Sequence, residues 1–180
     1  MHTLRLIFPV HFAVCAGLLC ISFALGAQTE KWKTYKYPEE GFRISFPVEP
    51  KVERSQKEAE KGSIKMVSYC AQISASYLCV AVIDQGAQAT GLEPAGLLER
   101  AKLGLLTAPK TKKLHEEQIE LDGHTGVELE TENDTDHIFT RIYVVNGTLY
   151  QSMVTLPVGD RYPSTGRFLD SFRLIPRLRY

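Results

Sequence analysis

The sequence lacks an excess of charge of either sign. Its 180 residues include 21 basic and 21 acidic side chains, whereas a nucleic-acid-binding protein needs a concentrated basic face that releases counterions. We therefore expect no nucleic-acid partner. The arginines near the carboxyl terminus, Arg173, Arg177 and Arg179, are interpreted as a solvated or frayed tail.

Motifs of nucleophilic catalysis and of phosphate binding are also missing. No Gly-x-Ser-x-Gly sequence occurs, and Ser152 lies within a predicted strand. His115, His124 and His137 do not have the compact spacing of zinc ligands. We predict no catalytic residue, no metal and no cofactor. The alternative is a metal-dependent hydrolase that uses His124 or His137 with nearby carboxylates.

Three glutamates recur at every second position and so share one face of a predicted strand: Glu128, Glu130 and Glu132. Several carboxylates on one side could hold Ca²⁺, which takes six to eight oxygen ligands. A calcium-binding loop would also contain closely spaced Asp and Asn residues around a glycine, and this run does not. The glutamates are interpreted as the solvated face of a half-buried strand.

Long hydrophobic runs are absent except at the amino terminus. Residues 12–25 are apolar, Arg5 precedes them and small residues lead to Ala27, which is the order of a signal peptide. We predict that residues 1–27 are removed and that the protein is periplasmic or secreted. The alternative is that this segment stays uncleaved as a membrane anchor, which would be the only association of the protein with a membrane. The apolar run is shorter than the roughly 20 residues that a spanning helix needs.

Removing residues 1–27 takes away one basic residue, Arg5, and leaves 20 basic and 21 acidic residues. Residues 28–180 are long enough for one domain with a single core. Two of the four cysteines remain, Cys70 and Cys79.

The two remaining cysteines lie on either side of a predicted hairpin. If its tip is the two-residue loop Ser74-Ala75, counting back places Cys70 opposite Cys79 in a non-hydrogen-bonded pair. The Cα atoms of such a pair are roughly 4.5 Å apart, which a disulfide tolerates. Export to an oxidising compartment favours the bond. We predict a structural disulfide, with two reduced buried thiols as the alternative.

Turn residues and periodicity predict the first half of the domain. Two strands flank the turn at residues 38–41, the charged residues 49–63 are predicted to be an exposed loop, and residues 77–83 form a central strand. A helix begins near Pro94, because proline suits a first helical turn. Leu98, Ala101 and Leu105 share one face of this helix.

Two tight hairpins follow the helix. Asp122-Gly123 and Asn146-Gly147 are two-residue turn sequences, and the second turn sets Tyr143 opposite Tyr150. A short helix with a Ser or Thr cap ends the chain, with Phe168 and Phe172 four residues apart. The order of elements predicts an α+β fold, a mostly antiparallel twisted sheet with helices packed on it.

Four segments in this order, YKYPEEGFRISFPVEP, LDGHTGVELE, RIYVVNGTLYQSMV and FLDSFRL, resemble the exported bacterial domains of the PsbP-like family. The resemblance covers nearly the whole predicted mature chain and implies an α/β/α sandwich. Members of this fold include an extrinsic photosystem subunit and a partner of the Ran GTPase, so the resemblance implies a non-enzymatic accessory or binding module.

We expect an unknown protein or an envelope component as the partner. An aromatic groove formed by Tyr35, Tyr37, Tyr143 and Tyr150 is the predicted ligand-binding site. The alternative function is that of a structural envelope or assembly factor.

Overall fold

The computed structural model describes residues 30–59 and 62–178. The predicted signal peptide, residues 1–27, lies outside the described residues, as does Arg179. Within the described ranges, no helix has the length and apolar character needed to cross a membrane.

Ten strands and two α-helices make up the described chain, with one turn of 3₁₀-helix at Gly86–Ala89. In chain order they are β1 (Lys33–Tyr37), β2 (Phe42–Phe46), β3 (Lys51–Ala59), β4 (Gly62–Ile73), β5 (Ser76–Asp84), α1 (Pro94–Leu106), β6 (Lys112–Leu121), β7 (His124–Glu132), β8 (Asp136–Val145), β9 (Thr148–Pro157), α2 (Thr165–Asp170) and β10 (Arg173–Leu174).

All strand pairs are antiparallel, and the strands form two sheets. The large sheet has the order β3-β4-β5-β9-β8-β7-β6, and the small sheet has the order β1-β2-β10. Helix α1 packs on one face of the large sheet, where Leu97 and Leu98 meet Leu129 and Ile142. The small sheet and α2 cover the opposite face. The protein is therefore an α+β sandwich, as predicted.

The main core lies between the large sheet and the small sheet. Phe42 and Phe168 are fully buried there, and Phe42 stacks against Phe172 with ring centroids 5.5 Å apart. Strand β5 contributes Leu78 and Val80, both fully buried, because alternate residues of a strand point to the same face. Most aromatic residues of the described part of the chain belong to this core or pack against it.

The predicted hairpins are confirmed with their registers. Tyr143 pairs with Tyr150 across β8 and β9, and Cys70 pairs with Cys79 across β4 and β5. The two cysteines form a disulfide, with Cα atoms 4.2 Å apart. Asn146 has a φ of +49°, the left-handed conformation that this turn requires and that asparagine tolerates.

The predicted loop at residues 49–63 is wrong, because the chain there forms β3 and the beginning of β4. The side chains of residues 51–58 are all exposed, so this edge strand has no apolar alternation to mark it. Charged side chains on an edge strand oppose the addition of unrelated strands, and this explains why so polar a sequence can be a strand.

The predicted Ser or Thr cap of the last helix is confirmed in position, because Ser164 occupies the N-cap of α2, although its side chain forms no capping hydrogen bond. Arg173 and Arg177 in the predicted tail are exposed. The chain beyond β10 is held in place rather than frayed, because the N–H of Ile175 donates to the carbonyl of Gly41 and the N–H of Leu178 donates to that of Pro38, each at 2.9 Å. We call residues 174–178 the carboxyl-terminal strap.

Candidate functional site

The four predicted ligand-binding tyrosines belong to or pack against the main core. Tyr35 and Tyr37 are half-buried on β1 and stack with ring centroids 6.5 Å apart. Tyr143 and Tyr150 are 5 % and 4 % exposed. The four rings therefore share a core rather than line one open groove, and a role in binding stays a prediction for each of them.

Burial affects the ionisation of three of these tyrosines, Tyr37, Tyr143 and Tyr150. Burial raises the pKa of Tyr37 to about 12 and also raises the pKa of Tyr143 and of Tyr150. The Tyr150 hydroxyl donates to the carbonyl oxygen of Glu40 at 2.7 Å. Tyr150 also lines a cavity at one end of the large sheet, so it is the predicted tyrosine that lies nearest to a candidate site.

That cavity lies at the end of the sheet where the two tight hairpin turns meet. Strands β7 and β8 are antiparallel, so the turn before β7, Asp122-Gly123, and the turn after β8, Asn146-Gly147, lie side by side. The strap closes the opposite wall with Leu174 and Arg177. The resulting cavity has a volume of about 760 Å³.

A second cavity adjoins the first, between α1 and the hairpin of β6 and β7. Its volume is about 740 Å³, and its apolar floor consists of Leu98, Val127 and Val144. His124 and Asn146 line both cavities, so the two cavities lie on the two faces of the large sheet beside the same turns. We call the two cavities together the turn-end cleft.

Carboxylates surround the turn-end cleft. Glu39, Asp84 and Asp122 line the first cavity and Glu93 lines the second, and none of the four has an ion-pair partner within 4.0 Å in the described part of the chain. Asp84 accepts a hydrogen bond from the N–H of Gly86 at 2.9 Å. These groups give the cleft a negative potential.

The cationic groups at the cleft are bound to other atoms. The Arg177 guanidinium donates to the carbonyl of Glu39 at 3.0 Å and to the hydroxyl of Thr148 at 3.3 Å. Lys102 binds Glu99 and Glu116, each at 2.8 Å, and Lys113 also binds Glu116, so two lysines balance these two carboxylates of the second cavity. The other four carboxylates outnumber the remaining cation, Arg177, so the net charge around the cleft is negative.

The histidines of the predicted alternative, a hydrolase, cannot share one site. His124 begins β7, whereas His137 pairs with Glu132 at the far end of this strand, roughly 26 Å away at 3.3 Å per residue. His137 contacts Glu130 at 2.6 Å. Across residues 30–59 and 62–178, no group of three or more His, Cys, Asp or Glu side chains is placed to hold a metal ion.

The glutamates of β7 are half-buried, and Glu128 and Glu130 are paired rather than solvated. Glu128 binds Arg141, which also binds Asp170 of α2 at 2.7 Å. Burial lowers the pKa of Arg141, but the hydrogen bonds to both carboxylates outweigh it and the pKa lies above its ordinary value. These pairs connect β7, β8 and α2, so they stabilise the fold.

Sequence reasoning missed the turn-end cleft because its residues come from six separate parts of the chain. The sequence did contain one indication of where the cleft lies. The turns at Asp122 and Asn146 were both predicted, and antiparallel pairing of the two hairpins places these turns at one end of the sheet. No comparable sequence pattern indicated the position of the carboxyl-terminal strap.

No protein-family model matches the sequence, and comparison with curated proteins gave no match. Among solved structures, the fold is similar to the solution structure of cyanobacterial PsbP, CyanoP, from Synechocystis sp. PCC 6803. The TM-score is 0.53 and the identity 14%, over 83% of this chain and 95% of that one. The chain therefore has a PsbP-like fold, as the resemblance implied.

The crystal structure of PA94, a protein of unknown function from Pseudomonas aeruginosa, matches with a TM-score of 0.38 and 12% identity, over 72% of this chain and 85% of that one. Identities of 14% and 12% leave the function to be argued from the site itself.

Proposed function

We propose that this chain is an exported accessory domain that binds its partner without catalysis, in the turn-end cleft. The observation that carries the proposal is a pair of cavities that share His124 and Asn146, with an apolar floor in the second and more carboxylates than cations around them. Each cavity, at about 760 and 740 Å³, falls in the size range of ligand pockets. No nucleophile, base and orienting group come together at the cleft.

The cleft favours a partner that carries both cationic and apolar groups. Leu98, Val127 and Val144 would receive an apolar side chain, while Asp122 and Glu93 would attract an ammonium or guanidinium group. A protein segment that contains lysine or arginine beside leucine has this chemistry. We therefore take a basic peptide segment of an envelope or secreted protein as the partner.

Two features support an exported protein. The amino-terminal sequence has the order of a signal peptide, and Cys70 and Cys79 form a disulfide, which persists in oxidising compartments. Analysis of the purified protein by mass spectrometry tests this part: a start near residue 28 is expected, and an intact Met1 would contradict signal removal.

The binding site can be tested by NMR titration of the ¹⁵N-labelled protein with a short peptide of alternating lysine and leucine. We expect saturable shifts at His124, Asn146 and the amino-terminal turn of α1. A glutamate and leucine peptide of equal length is the matched control and should not bind. Shifts spread over the whole surface would contradict a defined site.

Two variants and a control make the test specific. Asp122→Asn and Glu93→Gln should each weaken binding by about two- to fivefold, the effect of one partly exposed charge. Glu117→Gln removes an exposed carboxylate of β6 that does not line the cleft, and it should have no effect. If neither peptide binds and deletion of the gene damages the envelope, the structural envelope factor is favoured instead.

A further inference from the structure

The two edges of the large sheet differ. Strand β6 has an irregular register between Lys113 and His115, and a bulge of this kind disfavours the addition of another strand. Strand β3 pairs with β4 in unbroken register from Lys51 to Ala59. It contains no proline, and none of the described helices lies along it, so the charges of β3 influence which strand can pair with it.

The register shows which amides of β3 face outward. The Cα atoms of Cys70 and Cys79 are 4.2 Å apart, the spacing of a non-hydrogen-bonded pair, so the backbone groups of Cys70 point away from β5 and toward β3. Its partner there is Lys51, whose amide therefore points toward β4. The amides of alternate residues, Val52 and Arg54 among them, then point to the free edge.

The outward amides allow β3 to pair with a second copy of itself. In an antiparallel pair centred on Ser55, the hydrogen-bonded pairs are residue 52 with residue 58 and residue 54 with residue 56. Glu53 then lies opposite Lys57 of the other copy in a non-hydrogen-bonded pair, where side chains are closest. The two-fold axis repeats this ion pair, so the edge is complementary to itself.

One of the two neighbouring registers is unfavourable. A shift of the centre from Ser55 to Arg54 would set Arg54 opposite its own copy and Lys51 opposite Lys57, and like charges that face each other across strands are destabilising. The charge sequence of β3 thus distinguishes one pairing from an alternative, which is how charged edges specify partners.

We propose that β3 is the interface of a homodimer, in which two copies join their large sheets edge to edge about a two-fold axis at Ser55. The pairing uses the same edge on both copies, so it closes and does not propagate into a filament. It uses none of the residues that line the turn-end cleft, and it stands whether or not that cleft binds a peptide.

Sedimentation equilibrium of the exported, purified protein over a concentration series tests the proposal. The wild-type protein should reach twice its monomer mass. Glu53→Lys or Lys57→Glu places like charges opposite each other twice, and each should weaken the dimer by about tenfold. Glu117→Lys on β6 is the matched control and should leave the mass unchanged.

Mixing the two charge variants gives the most specific result. Glu53→Lys and Lys57→Glu are complementary to each other, so an equimolar mixture should form heterodimers, and the double variant should form homodimers. Gln56→Pro removes an outward N–H and should yield a folded monomer by circular dichroism. A wild-type protein that stays monomeric at millimolar concentration, or a dimer that both single variants leave intact, would overturn the proposal.

Discussion

The Tyr150 hydroxyl donates a buried hydrogen bond to the carbonyl oxygen of Glu40 at 2.7 Å, which joins strand β9 of the large sheet to the turn between β1 and β2. Tyr150→Phe leaves this carbonyl without its partner. A buried polar group left unsatisfied costs about 1–3 kcal/mol. We expect a decrease of this size in the free energy of unfolding, measured by urea denaturation.

Tyr143→Phe is the control for this prediction. Tyr143 faces Tyr150 across the same strand pair and is equally buried, but its hydroxyl forms no hydrogen bond within the described part of the chain. The expected loss is under about 0.5 kcal/mol, as for substitutions that disturb no buried partner. Equal losses for the two variants would show that ring packing, not the hydrogen bond, holds the sheets together.

The disulfide gives a second prediction. Cys70 and Cys79 are separated by nine residues, and closing a loop of this length lowers the entropy of the unfolded chain by an amount worth about 2–3 kcal/mol. The double variant with serine at both positions should lose stability of this order. Dithiothreitol should destabilise the wild-type protein similarly and leave the variant unchanged, whereas a wild-type protein that reacts with thiol reagents before reduction would contradict the bond.

Much of the fold could be predicted because its hairpins are specified locally. The Asn146-Gly147 turn requires left-handed backbone, with φ values of +49° and +78°, and it fixes the Tyr143 to Tyr150 register by itself. Pro94 likewise specifies the beginning of α1. The conformation of such a turn or helix start is determined by residues next to it in the chain, so it can be predicted from the sequence.

Strand β3 and the turn-end cleft could not be predicted in this way. Residues 51–58 are exposed on both faces, so only pairing with β4 makes them a strand. The cleft needs the strap beside the turn at Asn146, and the strap is held by Gly41 and Pro38, more than a hundred residues earlier. Contacts at such separation leave no periodic pattern in the sequence.

The contact between α1 and β6 predicts a dependence on pH. Hydrogen bonds from Lys102 and Lys113 lower the pKa of Glu116 below its ordinary value of 4.5. A carboxyl with a lowered pKa stabilises the fold above its ordinary pKa, and this contribution is lost as the pH falls through the lowered value. Lys102→Gln should raise the pKa of Glu116, as measured by carboxyl ¹³C NMR titration.

The same variant should show its effect on stability mainly near neutral pH. The difference in unfolding free energy between wild type and Lys102→Gln should decrease as the pH falls below 4.5, the ordinary pKa of this carboxyl, and through the lowered pKa of Glu116 in the wild-type protein. Lys36→Gln replaces an exposed lysine of β1 and serves as the control. A difference that does not change with pH would mean that Lys102 acts through packing alone.

Gly126 and Gly104 provide a matched pair of glycine substitutions. A Cβ atom at Gly126 would lie 2.5 Å from the carbonyl oxygen of Ile142 and 2.5 Å from the ring of Tyr143, its partner across the strands. Gly126→Ala must displace the β8 backbone or that ring, and we expect the free energy of unfolding to decrease by about 1–3 kcal/mol.

Gly104 lies within α1 with no atom within 4 Å of the added Cβ, so Gly104→Ala should stabilise the protein by about 0.5–1 kcal/mol through helix propensity. Thermal unfolding of both variants measures the difference, and a stabilising Gly126→Ala would show that β7 and β8 are not packed as closely as described.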